Sequence, residues 1–159
     1  MPFNHNLKKI FPVREAISNE ADLIINFQIS MAKETEDIYL DHSIVTAGVL
    51  AVFNDPSKGK YYLALSEGEI IACMLTTYEW SDWRDGRFIW LQSVYVKPGF
   101  RGKGVFRSMY GHIKELVYEN ENLKGIRLYV FHTNEDAQAV YRSLKMEDQH
   151  YRMFEWVKS

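Results

Sequence analysis

The 159-residue chain has one cysteine, Cys73, so it can form no disulfide within itself. A fold that depends on crosslinks is excluded, and a reducing compartment is expected. Cys73 sits inside an apolar run, where a buried inert thiol rather than a nucleophile is expected. The chain also lacks an excess of either charge. Its 19 Lys and Arg stand against 21 Asp and Glu, for a formal net charge of −2, which argues against bulk binding of nucleic acid. No apolar run approaches the ~20 residues of a membrane span. The opening MPFNHNLKKIFPVRE has no apolar core of signal-peptide length. The expected setting is the cytoplasm, with neither membrane nor nucleic acid as partner.

Hydrophobic residues make up 47% and charged residues 25% of the chain, which fits a globular protein with a substantial core. No repeat, low-complexity segment or linker divides it, so one domain over 1–159 is expected. Residues 12–17 (PVREAI) suit a short strand. Ser18 stands where a helix N-cap would, ahead of Glu20 and Asp22, with Leu23, Ile24, Phe27 and Met31 following at helical spacing. Ile44, Val45, Val49, Val52 and Phe53 predict a second helix after Asp41, ending at Asn54-Asp55-Pro56.

YYLAL (61–65), the turn at Glu67-Gly68-Glu69 and IIACMLTTYEW (70–80) read as a hairpin. FIWLQSVYV (88–96) reads as a strand buried on both faces. Residues 104–119 carry Phe106, Met109, Tyr110, Ile113, Leu116 and Val117 on one helical stripe. RLYVF (127–131) is expected to be a strand, 134–144 a short helix capped by Asn134, and HYRMFEW (150–156) a final strand. Consecutive strands without helices between them exclude a doubly wound nucleotide fold, and the later helices exclude an all-β sandwich. What remains is a mixed α/β sheet covered by helices.

The junction "VYVKPGFRGKGVFRSMY" (94–110) holds the strongest chemical signal. Gly102 and Gly104 permit backbone conformations closed to other residues and a close approach of a ligand to the amides. The loop opens a helix, whose first N–H groups lack intrahelical partners, and Arg101 and Lys103 add positive charge. Together these features suit a phosphate or pyrophosphate. Neither G-x-x-x-x-G-K-S/T nor G-x-G-x-x-G occurs, so the junction is not one of those nucleotide fingerprints.

The phrase VYVKPGFRGKGV resembles the cofactor motif of the GNAT N-acetyltransferase superfamily, an apolar strand followed by R/Q-x-x-G-x-G/A at the start of a helix. Arg101 and Gly104 occupy their places, while Phe106 stands where a small residue is usual. Asn134, Ala137 and Tyr141, spaced N-x-x-A-x-x-x-Y, resemble a later helix of that family. Lys145-Met146 departs from the usual Gly-Phe behind it. The element order over most of the chain also matches.

The resemblance implies a central mixed, largely antiparallel sheet with two splayed parallel strands, flanked by helices. It implies acetyl-CoA, or another acyl-CoA, as donor, and no metal is expected. Backbone groups of Val94, Tyr95 and Val96 would hold the pantetheine arm and polarise the thioester carbonyl. Residues 101–106, that is Arg101, Gly102, Lys103, Gly104, Val105 and Phe106, would hold the pyrophosphate. Asn134 would bond the pantetheine or cap its helix.

Tyr141 matches the family tyrosine that protonates the departing thiolate, although the same position suits a core aromatic. Glu79 is the first candidate for the base and Asp82 the second. Glu34, Glu36, Trp80 and Asp82 would meet the acceptor, because acids beside indoles suit a cationic amine. The expected reaction is direct attack of a small cationic primary amine on the thioester. A protein amine as acceptor, or a non-catalytic CoA-binding regulatory protein, are the alternatives. Dimers are common in the family, which allows a homodimer here.

Overall fold

The computed structural model describes residues 10–159, so the opening stretch weighed above as a signal sequence lies partly outside the described residues. The chain forms two compact units, one up to Arg127 and the other Leu128–Ser159. In the first, five strands run in the order β1-β2-β3-β4-β5: β1 (Val13–Glu15), β2 (Lys60–Ser66), β3 (Glu69–Ser81), β4 (Gly86–Val96) and β5 (Leu123–Arg127). The first four pair antiparallel and β4 pairs parallel with β5. This is the mixed, largely antiparallel sheet expected.

Helices α1 (Ala21–Glu36) and α2 (His42–Asn54) lie on one face. Ile24, Phe27 and Val49 from the helices close a core with Tyr61, Leu63, Cys73 and Tyr95 from the sheet. The predicted apolar positions supply that contact: Leu23, Met31, Val45, Val52 and Phe53 pack at its margin. Ile44, expected to join them, is 71% exposed. Asp41 caps α2, its carboxylate accepting from the amides of Ser43 (2.8 Å) and Ile44 (3.1 Å).

Ser18 does not cap α1. It begins a 3-10 turn (Ser18–Glu20), which Glu20 closes by accepting from the Ile17 amide at 2.9 Å and pairing with Arg14. Helix α3 (Val105–Glu119) covers the opposite face. Its His112 meets Tyr62, which points away from neighbouring Tyr61 because successive strand residues alternate sides. Met109 and Ile113 are fully buried there.

Two expected strands differ. The strand placed at 127–131 lies instead at Leu123–Arg127, and residues 128–131 join no ladder. The apolar run drew the expectation forward, whereas the ladder uses LKGIR. Gly125 is needed there, since a Cβ on it would come within 2.7 Å of the Phe88 ring. The tail 150–156 alternates like a strand but forms no regular structure. In the second unit, α4 (Glu135–Ser143) follows Asn134, whose side chain accepts from the Ala137 amide at 3.1 Å.

Candidate functional site

The strand and loop quoted above end the sheet in an unusual way. Parallel pairing between β4 and β5 runs from Arg87 to Trp90 and stops, while β4 continues to Val96 paired only with β3. Within that stretch the register slips, so that Met74 of β3 opposes both Ser93 and Val94. Ser93 takes φ +49°, a left-handed conformation costly for a non-glycine residue. Such a bulge bends its strand and re-aims the following peptide groups. Val94, Tyr95 and Val96, the expected pantetheine contacts, are the three residues beyond it.

A 3-10 turn (Pro98–Phe100) then leads into Arg101. Gly102 (φ +72°) and Gly104 (φ +87°) are both left-handed. A Cβ on either would meet nothing within 4 Å. The conformation therefore calls for glycine, and the space before the loop is one a side chain would partly fill. Gly104 caps α3 and accepts from the Ser108 amide at 3.1 Å. The Phe106 ring stacks along the helix on Tyr110, with centroids 6.3 Å apart. Its bulk is therefore directed along α3.

The two cations of the loop differ in their surroundings. The Lys103 ammonium lies 5.6 Å from the centre of the Phe100 ring and pairs with no acid among the described residues. The Arg101 guanidinium donates from Nε to the Val96 carbonyl at 2.8 Å and forms an ion pair with Glu34 of α1. Glu34 also accepts from the Tyr95 hydroxyl at 2.9 Å. Arg101 and Tyr95 hold the Glu34 carboxyl below its ordinary range, Arg101 most strongly. Glu34, expected at the acceptor, is thus engaged with the entry of the glycine loop.

On the α1–α2 face a polar cluster extends the apolar core along β3 and β4. Glu79 accepts from Trp90 Nε1 at 2.9 Å and pairs with Arg127. The Arg127 guanidinium lies 3.9 Å over the Phe88 ring. Gln92 donates to Thr77 Oγ1 at 2.7 Å. Trp90, Arg127 and Ser93 were missed by the sequence reading. Strand alternation could have found Trp90, once the hairpin register placed it across from Thr77.

The expected grouping of Glu79 with Trp80 does not form, because neighbouring strand residues face opposite sides. Trp80 lines a cavity of about 500 Å³ on the α3 face, with Tyr62, Tyr78 and Arg87. Asp82 is exposed in the turn after β3, and Glu36 is exposed on the last turn of α1. In the second unit, Tyr141 is half-buried on α4, and burial pushes its phenol above the usual value. Cys73 bears out the inert reading: it is fully buried, and burial pushes its thiol up to about 12.

Comparison with known proteins adds to this geometry. The model of the acetyltransferase (GNAT) family matches residues 24–146. A possible acetyltransferase from Clostridium difficile 630 is 41% identical in sequence. It superposes with a TM-score of 0.86, over 95% of this chain and 99% of that one. A thialysine N-epsilon-acetyltransferase from Bos taurus is 29% identical over 79 residues, which is 50% of this chain and 45% of that protein. The chain thus covers less than half the length of that relative. A predicted acetyltransferase from Clostridium acetobutylicum, solved with acetyl-CoA, shares the fold at 17% identity and a TM-score of 0.70, over 94% of this chain and 96% of that one.

Proposed function

The chain belongs to the acetyltransferase (GNAT) family, and we propose that it transfers an acetyl group from acetyl-CoA to a small cationic primary amine. The observation that carries this reading is the open stretch of β4 beyond Trp90, which runs straight into the left-handed glycine loop. An extended amide chain can lie along the first and a pyrophosphate against the second. The two units are read as one acetyltransferase domain, because the family match spans the boundary between them.

Acetyl-CoA supplies an activated acyl carbon. The amine nitrogen bonds to that carbon, the carbon–sulfur bond breaks, the amine loses a proton and the thiolate gains one. The chain's part is to orient, polarise and move protons. Peptide groups of Val94–Val96 hold the pantetheine and polarise the thioester carbonyl. The amides of 102–106 and the Lys103 ammonium hold the pyrophosphate. Asn134 uses its side-chain oxygen as the α4 cap, which leaves its amide NH2 to donate to the pantetheine.

Tyr141 gives the proton to the thiolate, a role supported by its motif and by a phenol that burial keeps protonated. Glu79 takes the amine proton. Each of its oxygens holds one bond in the cluster and retains a further lone pair for a water or the amine. Glu36 and Asp82, both exposed, add negative charge on the acceptor's approach.

The lysine-type amine acted on by the Bos taurus relative supports an acceptor of this class. Acetyl-CoA turnover against a panel of polyamines, amino acids with side-chain amines and lysine peptides tests the reading. Release of CoA thiol with the small amines is expected. Acetyl-CoA binding without turnover of any amine would leave a CoA-binding regulatory protein in its place.

A further inference from the structure

We infer that Glu34 is a positioning residue for the cofactor loop, which it latches through Arg101 and Tyr95 so that, of the loop's two cations, Lys103 presents its charge to the donor phosphates. The inference rests on the proposed reading of residues 101–106 as the pyrophosphate site.

Four contacts converge on one corner. The Tyr95 hydroxyl donates to one oxygen of Glu34 (2.9 Å) and Arg101 pairs with the other. Arg101 Nε donates to the Val96 carbonyl (2.8 Å), and its guanidinium lies 5.5 Å from the centre of the Tyr95 ring. The groups come from three elements: the end of α1, the end of β4 and the first residue of the glycine loop. Tyr95 is itself buried, with its ring 5.2 Å from that of Phe27, so the latch hangs on a fixed point of the core.

A glycine-rich loop loses more conformational entropy than others when it is ordered. Tying its entry at Arg101 reduces what remains to be lost when a ligand binds, which strengthens that binding without adding a contact to the ligand. Meanwhile the guanidinium is directed back along the strand and neutralised by Glu34. Lys103, two residues on and without an acid partner among the described residues, is left to supply the charge.

The test compares wild type with Glu34→Gln, Arg101→Gln, the double variant and Lys103→Gln. Gln at 34 keeps the size and can still accept from Tyr95, so the fold should persist, with a melting temperature near that of wild type. Acetyl-CoA affinity by calorimetry should fall roughly fivefold in Glu34→Gln and in Arg101→Gln. It should fall no further in the double variant, because the two residues act as one unit. Lys103→Gln should add its own loss in full.

Hydrogen exchange at residues 97–104 of the protein without acetyl-CoA should quicken in Glu34→Gln, while α2 is unchanged. Unchanged or tighter binding in Glu34→Gln would overturn the inference, by showing Arg101 to be a direct phosphate ligand or the latch to be idle. Unchanged exchange would overturn it as well. A wild type that fails to bind acetyl-CoA refutes the proposed function instead, and the exchange measurement still decides the latch.

Discussion

A single substitution at Gly104 separates the loop's conformation from its charge. Gly104 holds φ +87° at the start of α3, and a Cβ there would meet no atom within 4 Å. Alanine at this position therefore clashes with nothing and bears only the left-handed backbone, at about 1–2 kcal/mol. For a chain of this size that lowers the melting temperature by roughly 2–8 °C. Aspartate tolerates the left-handed region better than alanine, so Gly104→Asp should be no less stable than Gly104→Ala. Binding should separate them.

A carboxylate about 4 Å from a phosphate, at an effective dielectric constant of about 20, is opposed by about 4 kcal/mol, roughly a thousandfold in affinity. Screening that halves this still leaves roughly thirtyfold. Calorimetric titration with acetyl-CoA at fixed salt, run on both variants beside a thermal melt, makes the comparison. An Asp variant that binds acetyl-CoA as tightly as the Ala variant would refute the placement of the pyrophosphate at this loop.

Other outcomes follow from the same structure. Tyr141→Phe should lower kcat by about 10²-fold or more while leaving the acetyl-CoA dissociation constant unchanged, as single-turnover kinetics would read it. Because burial raises the Tyr141 phenol, the protonated form that an acid requires persists above the ordinary value of about 10. Wild-type activity should thus show no alkaline loss from this group until the pH passes that value. Gly125→Ala should destabilise by about 1–3 kcal/mol in a melt, since the new methyl falls 2.7 Å from the Phe88 ring. Lys145→Gly should stabilise by about 1 kcal/mol, because Lys145 closes α4 at φ +66°. Cys73, with its thiol up to about 12, should resist iodoacetamide in the native protein at pH 8 and react once the chain is unfolded.

Much of the first unit was legible because local and global signals agree there. Helical spacing in 21–36 and 42–54 sets the same residues on the core that the sheet presents to them. The hairpin turn at Glu67-Gly68 falls where both flanking strands end, with Gly68 at φ +81°. The misplaced strand had a different cause. The apolar run RLYVF outweighed a glycine and a lysine in LKGIR, and only the Phe88 ring, 37 residues before Gly125 in sequence, explains why a glycine belongs in that ladder. Ser93 is a similar case, since serine carries no local sign of a left-handed bulge. Lys145, by contrast, stands where Gly is usual in the family and holds φ +66°, a conformation that favours glycine.

The candidate site was legible where chemistry lies in the backbone and less so where it lies in pairing. Glycines at 102 and 104 announce their conformations, and the structure provides both. Acids announce only charge. Glu34, Glu36, Glu79 and Asp82 looked alike in sequence, yet their partners divide them. Glu34 is bound to the end of β4 and the entry of the glycine loop, Glu79 to an indole and a guanidinium, and Glu36 and Asp82 stand exposed. Those partners come from residues 48–67 positions away in the chain for Arg127 and Arg101, so no local pattern could reveal them. Glu34, paired within the latch, contributes mainly through what it holds in place, and its substitution should change donor affinity before it changes amine affinity. If the acceptor is met by negative charge at all, that effect should therefore follow Glu36 and Asp82. Neutralising both should raise the KM for a polyamine while leaving that for acetyl-CoA unchanged, and an unchanged polyamine KM would move recognition of the cation to the Glu79 cluster.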